Sequence, residues 1–289
     1  MSPATGDSAV ANSRSRISWP LSVWIGVVVL TFWIVVACLG PVVAPHGEGT
    51  LLTNDSFAAP GVAGLLGGDY LGRDVFSRLV FGARRTLGLA TVITVLAFTT
   101  GVALGFLAAI AGRWIDGLLG RVNDVLLAFP SLILALIVIA ALGTSIPVLV
   151  VTVGLIEATR IFRVARALGI DIVAMDYIEV ARARGEGTWW IMWREILPNA
   201  VSPLAAEFGV RFTYSILFVS ALSFLGLGVQ PPAADWGVMV RENLQGLLFG
   251  SMAPLFPAAA IASVTIAINL LVDWRLRQTH RDDSFEPLP

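Results

Sequence analysis

The stretch "VLLAFPSLILALIVIAALGTSIPVLVVTVGLI" fills residues 125–156 without one charged side chain. Wound as a single helix, its 32 residues would extend ~48 Å at ~1.5 Å per residue, against a hydrocarbon core of ~30 Å. One crossing cannot use it up, and it is too apolar to be left in water. "LGTSIP" (142–147) is the one turn-forming group inside it. The stretch therefore predicts two membrane spans joined by a tight turn.

The rest of the chain extends that pattern. Of 289 residues, 56% are hydrophobic and 13% charged, and soluble domains carry ~25% charge. The apolar residues come in long runs, which predicts an all-α, polytopic membrane bundle. A net charge of −1 offers no polyanion-binding surface, so no nucleic-acid partner is expected. Cys38 is the single cysteine, which excludes an internal disulfide framework. His46 and His280 stand too far apart to suggest a metal cluster. All nineteen basic residues are arginine. A P-loop needs a lysine on the terminal phosphates, in the pattern G-x-x-x-x-G-K-[ST], so this chain holds no ATP site of that kind and no catalytic cluster. Energy for any driven process arrives from a partner or an ion gradient.

Six spans are expected in all. Residues 1–19 read as a disordered cytoplasmic tail, 20–43 as the first span and 44–83 as an external loop. Within "GDYLGRDVFSRLVFGARR" (68–85), Leu71, Val75, Leu79 and Phe81 alternate with Arg73, Asp74 and Arg78, the spacing of a short amphipathic helix at the interface. Residues 84–274 hold the five remaining spans, and 275–289 a cytoplasmic tail. The second span contains Gly101 and Gly105, a G-x-x-x-G that permits close helix contact. Asp124 before the third span reads as a cap or an arginine partner. The fourth span ends among Arg160, Arg163 and Arg166, the fifth covers 201–227 and the sixth 253–272. Cytoplasmic loops gather Lys and Arg. With both termini inside, thirteen arginines are cytoplasmic, Arg14, Arg16 and Arg281 among them; five are external: Arg73, Arg78, Arg84, Arg85 and Arg241.

Between the fourth and fifth spans, loop 170–199 carries "EVARARGEGTWWIMWREILPN" (179–199). Val173, Tyr177, Val180 and Arg184 share one side of a helix, which Gly185 and Gly187 break. Thr188 is placed to cap a second short helix that Pro198 ends. Trp189, Trp190 and Trp193 suit a membrane–water boundary. Two readings stand side by side: a knob that enters a partner's groove, or an interfacial connector. Ionisable residues inside a membrane are functional candidates by default. Glu207 and Arg211 are spaced for a helical ion pair, and Glu157 lies near Arg160 and Arg163; these residues either line a pathway or neutralise each other.

The elbow resembles the cytoplasmic signature of binding-protein-dependent ABC import permeases, E-A-A-x3-G-x9-I-x-L-P. Glu179, Ala181, Gly185, Leu197 and Pro198 fall in register; Val180 replaces an alanine, and Glu195 the isoleucine, with Ile196 beside it. "LGRDVFSRLVFGAR" (71–84), "RVNDVLLAFPSLILA" (121–135) and "LSFLGLGVQPPAADWG" (222–237) are similar to motifs of the dipeptide/oligopeptide/nickel branch. That branch usually has Trp-Pro before Arg160, where this chain has Leu155-Ile156 and then Glu157.

The resemblance implies a permease subunit of the bacterial inner membrane, surrounded by lipid, that performs no bond chemistry and alternates between inward- and outward-facing forms. The loop would be a coupling helix on a cytoplasmic ATPase that binds the ATP and Mg. Tyr177, Ile178, Glu179, Ala181, Arg182, Arg184 and Gly185 would dock on it, with Trp189, Trp190, Leu197 and Pro198 on the second helix of the loop. A homologous permease chain would complete the pathway. An extracytoplasmic binding protein would deliver cargo near Arg73, Asp74, Asp235 and Trp236. Short peptides are the expected cargo, with nickel or glutathione as alternatives. A stand-alone ion-coupled transporter predicts internal inverted repeats, and a membrane hydrolase predicts a convergent catalytic cluster; the sequence displays neither.

Overall fold

A computed structural model of the chain describes residues 20–283. The tail 1–19, with Arg14 and Arg16, lies outside the described residues, as do residues 284–289 and the side chains of His280 and Arg281. Every regular element described is helical. The β pairing among the described residues consists of two isolated bridges, Leu51 with Arg73 and Gly68 with Asp74, in the loop over 44–74.

Helix α1 (Leu21–Val43) is apolar throughout and leads into that loop. Helix α2 (Val75–Ile110) runs 36 residues without a break. Asp74 starts it by accepting from the Phe76 N–H, and no proline interrupts it. The expected interfacial helix is therefore not a separate element: Val75, Leu79 and Phe81 belong to the first turns of α2. Its charged residues also point the other way from a solvated face, since Arg73, Asp74 and Arg78 are buried.

Helix α3 (Arg113–Leu127) and helix α4 (Ser131–Leu142) meet at 88°. Pro130 lacks an N–H and disfavours helical geometry at Phe129, so the chain turns there. Asp124 consequently sits in the last turn of α3 rather than capping a span. The 12 residues of α4 reach only ~18 Å at ~1.5 Å each. The charge-free run thus becomes a short, sharply angled helix plus the N-terminal part of α5 (Ile146–Val173), in place of two full spans. The turn between α4 and α5 falls at Gly143 to Ser145, inside "LGTSIP". Helix α5 does not stop among its arginines; it carries Arg160, Arg163 and Arg166 in its interior.

Helix α6 (Asp176–Ala183) and helix α7 (Thr188–Ile191) form the elbow. A π-helical turn, Met192–Ile196, joins α7 to α8 (Leu197–Phe224). Pro198 therefore does not end the second short helix. It sits in the first turn of α8, where its missing N–H costs little, and the wider turn before it carries the chain through. Helix α9 (Trp236–Asn243), a 3-10 segment (Leu244–Phe249) and α10 (Leu255–Asp283) complete the described chain. Helix α10 continues past 272 through residues assigned to the tail.

Among the described residues, four helical stretches are long and apolar enough to cross a membrane: Leu21–Gly40, Val75–Ile110, Thr188–Phe224 and Leu255–Gln278. The bent α3–α4 pair adds a fifth if it is one broken span. Helix α5 is long enough at 28 residues but has Glu157 and three arginines along its middle.

Glycine sets how the centre packs. A Cβ at Gly101 would stand 2.7 Å from Ile161 Cβ, and one at Gly105 2.7 Å from Ala165 Cβ. The G-x-x-x-G of α2 is thus the seam against α5, with backbones closer than any side chain allows. Around that seam lie three buried clusters. One surrounds Trp33 and Trp236, whose rings meet edge-on with centroids 4.9 Å apart. A second joins α2, α4, α5 and α8 through Ile93, Ile139, Val153 and Val219. The third, at the other end of α2, holds Phe106, Ile161 and Ala165 against the elbow.

Candidate functional site

The elbow is fastened along one edge only. Ile178 and Ala181, three residues apart on α6, are fully buried against Ile191, Met192, Ile196 and Ala200. Tyr177, Glu179, Val180, Arg182, Arg184 and Gly185 are exposed. The docking set read from the sequence therefore divides: Ile178 and Ala181 face this chain and anchor the helix, and the other five face outward.

Gly185 closes α6 with φ +85°, a left-handed conformation that glycine adopts without steric cost. The Gly185 N–H donates to the Arg182 carbonyl at 2.9 Å, and the Glu186 N–H to the Ala181 carbonyl at 3.2 Å. This pair of bonds is the Schellman ending, and it satisfies carbonyls that would otherwise be left open. Thr188 does not cap α7; Gly187 occupies that position, and no side chain caps it. Trp189 is exposed and meets Trp193 edge-on at 5.4 Å, and the Arg184 guanidinium lies 5.9 Å from the centre of the Trp190 ring. Leu197 is half-buried and Pro198 exposed. At the departure from the signature, Glu195 is half-buried and Ile196 fills the core.

A second charged group lies between α5 and α8. Glu157 is fully buried and takes Arg160 at 3.3 Å and Arg211 at 3.4 Å, and Arg211 binds Glu207 at 2.6 Å. The Tyr214 ring has the guanidinium of Arg211 at 5.1 Å and that of Arg160 at 5.9 Å. Four of the five intramembrane residues are thus one network across two helices, with Glu157 as its hub. Arg163 stands exposed on α5, outside that network. Nearer the elbow, Arg166 holds Asp116 of α3 in a two-pronged ion pair.

At the other end of the molecule, Asp69 receives Arg73 Nε at 2.6 Å, and Glu242 receives Arg73 and Arg78, each at 3.0 Å. Arg78 also donates to the carbonyls of Glu48 and Pro232. Its Nε lies 3.4 Å from Asp69, in ion-pair range but without a hydrogen bond. Asp235 caps α9 through the N–H groups of Gly237 and Val238 and accepts from Thr86 at 2.7 Å. Burial pushes its carboxyl above the usual range, against the pull of those donors. Trp236 donates to the Leu79 carbonyl at 3.0 Å. Arg73, Asp74, Asp235 and Trp236 are all buried, so they have no side-chain surface for a binding protein. They bind the 44–74 loop, α2 and α9 to one another.

Asp69, Glu242 and Glu48 escaped the sequence reading, and Arg78 and Arg85 entered it without their acidic partners. Their signal was the five arginines expected outside, which run against the cytoplasmic bias. Three of them, Arg73, Arg78 and Arg85, are held by acids within the fold.

Residues 101–281 match the family model described as "Binding-protein-dependent transport system inner membrane component". The chain is 37% identical over 214 residues to the glutathione transport system permease protein GsiD of Pectobacterium atrosepticum, covering 74% of this chain and 71% of that one. It is 31% identical over 249 residues to the dipeptide transport system permease protein DppC of Alkalihalophilus pseudofirmus, covering 86% and 82%. Among solved structures, an amino acid ABC transporter shares the fold with a TM-score of 0.52 at 18% identity, over 70% of this chain and 94% of that one.

Proposed function

The chain belongs to the family of inner-membrane components of binding-protein-dependent transport systems, and from that premise we propose that it forms half of an ATP-driven import pathway for short peptides. It is a multi-pass permease of the bacterial inner membrane. The relatives are permease components, not catalytic chains. In the proposed assembly, ATP and Mg bind a cytoplasmic ATPase, an extracytoplasmic binding protein delivers cargo, and a second homologous permease chain closes the pathway. The chain crosses the membrane six times with both termini inside, so the elbow lies in the cytoplasm.

One observation carries the coupling. Glu179, Arg182 and Arg184 project from a short helix that is pinned to the α2–α5–α8 core by Ile178 and Ala181. A lever needs a free face for the motor and a fixed face for the load, and α6 has both. ATP binding at the partner would shift the two facing states only through contacts that differ between them. Exposed apolar side chains on α3, among them Trp114, Leu118 and Val125, support a neighbour in the membrane such as the second permease chain.

Peptide cargo rests on the relatives' names, and the GsiD similarity favours glutathione as the second reading. The test is purification of the chain with its partners, then Glu179→Lys and Gly185→Asp. Both variants are expected to stay in the membrane and lose uptake of labelled dipeptide. Normal uptake in both would refute coupling through this elbow.

A further inference from the structure

Helices α5 and α8 have 28 residues each, and Arg160 and Arg211 are the fifteenth residue of their respective helices. The charged network therefore sits at the middle of both helices, and an ionised group away from water is costly to accommodate inside a membrane protein. It is also lopsided. Glu157 has no exposed surface and Glu207 is 16% exposed, whereas the Arg160 side chain is 36% exposed and Tyr214 46%.

The acids thus lie behind, already engaged by two guanidinium groups, and the outward edge is made of donors. Arg160 spends one nitrogen on Glu157 and another on a long contact to Ser131 Oγ at 3.5 Å; its Nε has no partner among the described residues. The Tyr214 hydroxyl likewise makes no hydrogen bond among them. Arg163, one turn along α5, adds a second exposed positive charge. Hydrocarbon has no acceptor for such groups, so in the assembled protein this edge faces the water, polar ligand or second permease chain that lines the pathway rather than lipid.

We infer that Arg160 and Tyr214 form a carboxylate-binding position on the translocation pathway, and that it receives the free carboxylate of the peptide cargo. The chemistry is that of a guanidinium and a phenol donating together to one anion. Glu157 and Glu207 balance the charge of the empty site and keep the affinity low enough for release. The inference rests on the import reading above and names the residues that meet its cargo.

The test uses the assembled importer in proteoliposomes and reads labelled dialanine or labelled glutathione carried per ATP hydrolysed. Arg160→Gln is expected to lower that ratio about tenfold or more, the size of a lost charge-assisted hydrogen bond, mainly through KM. Arg160→Lys restores part of it. Tyr214→Phe, which keeps the ring packing, lowers it by a smaller factor. Wild-type ratios in both Arg160→Gln and Tyr214→Phe would overturn the inference and leave the import reading standing. So would uptake and ATP hydrolysis falling in step, because the network would then only hold α5 to α8. Transport of neither probe by the wild-type importer would remove the import reading, and this inference with it.

Discussion

The two ends of the molecule use the same residue types in opposite ways. At the end that holds the 44–74 loop, Asp69, Arg73, Arg78 and Glu242 are closed over and paired with one another. At the elbow, Glu179, Arg182 and Arg184 are exposed, and the apolar Ile178 and Ala181 hold the segment in place. Both stretches carry family-like motifs. Burial separates them: a charge network inside the fold specifies how three segments meet, and charges held on an anchored helix are presented to something else.

The sharpest way to break that contrast is to remove an acid from each end. Asp69→Ala leaves Arg78 and Arg73 short of a partner inside the protein, and removing one side of a buried ion pair costs ~3–5 kcal/mol. A large drop in melting temperature of the detergent-purified protein is expected. Glu179→Gln is a surface change worth ~0.5 kcal/mol or less, so its melting should match wild type while uptake falls. Equal melting of the two variants would erase the distinction between lock and lever.

Glycine offers a second, smaller contrast. A side chain at Gly101 meets Ile161 Cβ at 2.7 Å and the Ala158 carbonyl oxygen at 2.8 Å, and backbone cannot move aside cheaply. Gly101→Val should cost ~1–3 kcal/mol by overpacking, read as lower thermal stability. At Gly185 an added Cβ meets nothing within 4 Å, and φ is +85°. Gly185→Ala then costs only the left-handed penalty, ~1–2 kcal/mol. It should appear locally, as faster hydrogen exchange at the Glu186 amide, with global melting barely moved. A global drop as large as that of Gly101→Val would mean the elbow is part of the core.

What was legible in the sequence was local. The Glu207–Arg211 pair is one helical turn long, and the Gly185 break is set by a residue's own φ preference, so neither needs the rest of the fold. The partners of Arg73 and Arg78 could not be read this way: Glu242 lies 169 and 164 residues away. Periodicity around Val75, Leu79 and Phe81 identified a helix correctly but not its length or its buried side. An eight-residue helix such as α6 has too few turns for its pattern to show which face is inside. Pro198 misled for a different reason: proline is tolerated at a helix start, and the preceding π turn is invisible in composition.

Glu48 lies at the margin between the two regimes and gives the finest test. It closes the outer network with 28% of its side chain still exposed, taking Arg85 at 2.8 Å and the Ala234 N–H at 2.7 Å. Burial pushes its carboxyl up, but the Arg85 and Ala234 bonds and the charges of Arg85 and Arg78 outweigh that, so it lies below its ordinary value of 4.5. A carboxyl lowered in the folded state adds stability that is fully present above the unfolded value and is lost as pH falls through the folded one. Glu48→Gln keeps the shape without the charge. Its melting temperature should fall short of wild type at neutral pH, by less than for any buried member of the network because water screens the pair. The gap should then narrow as pH drops below 4.5. A gap unchanged with pH would mean that Glu48 acts through shape and hydrogen bonding alone, and that the charged lock ends at Arg78.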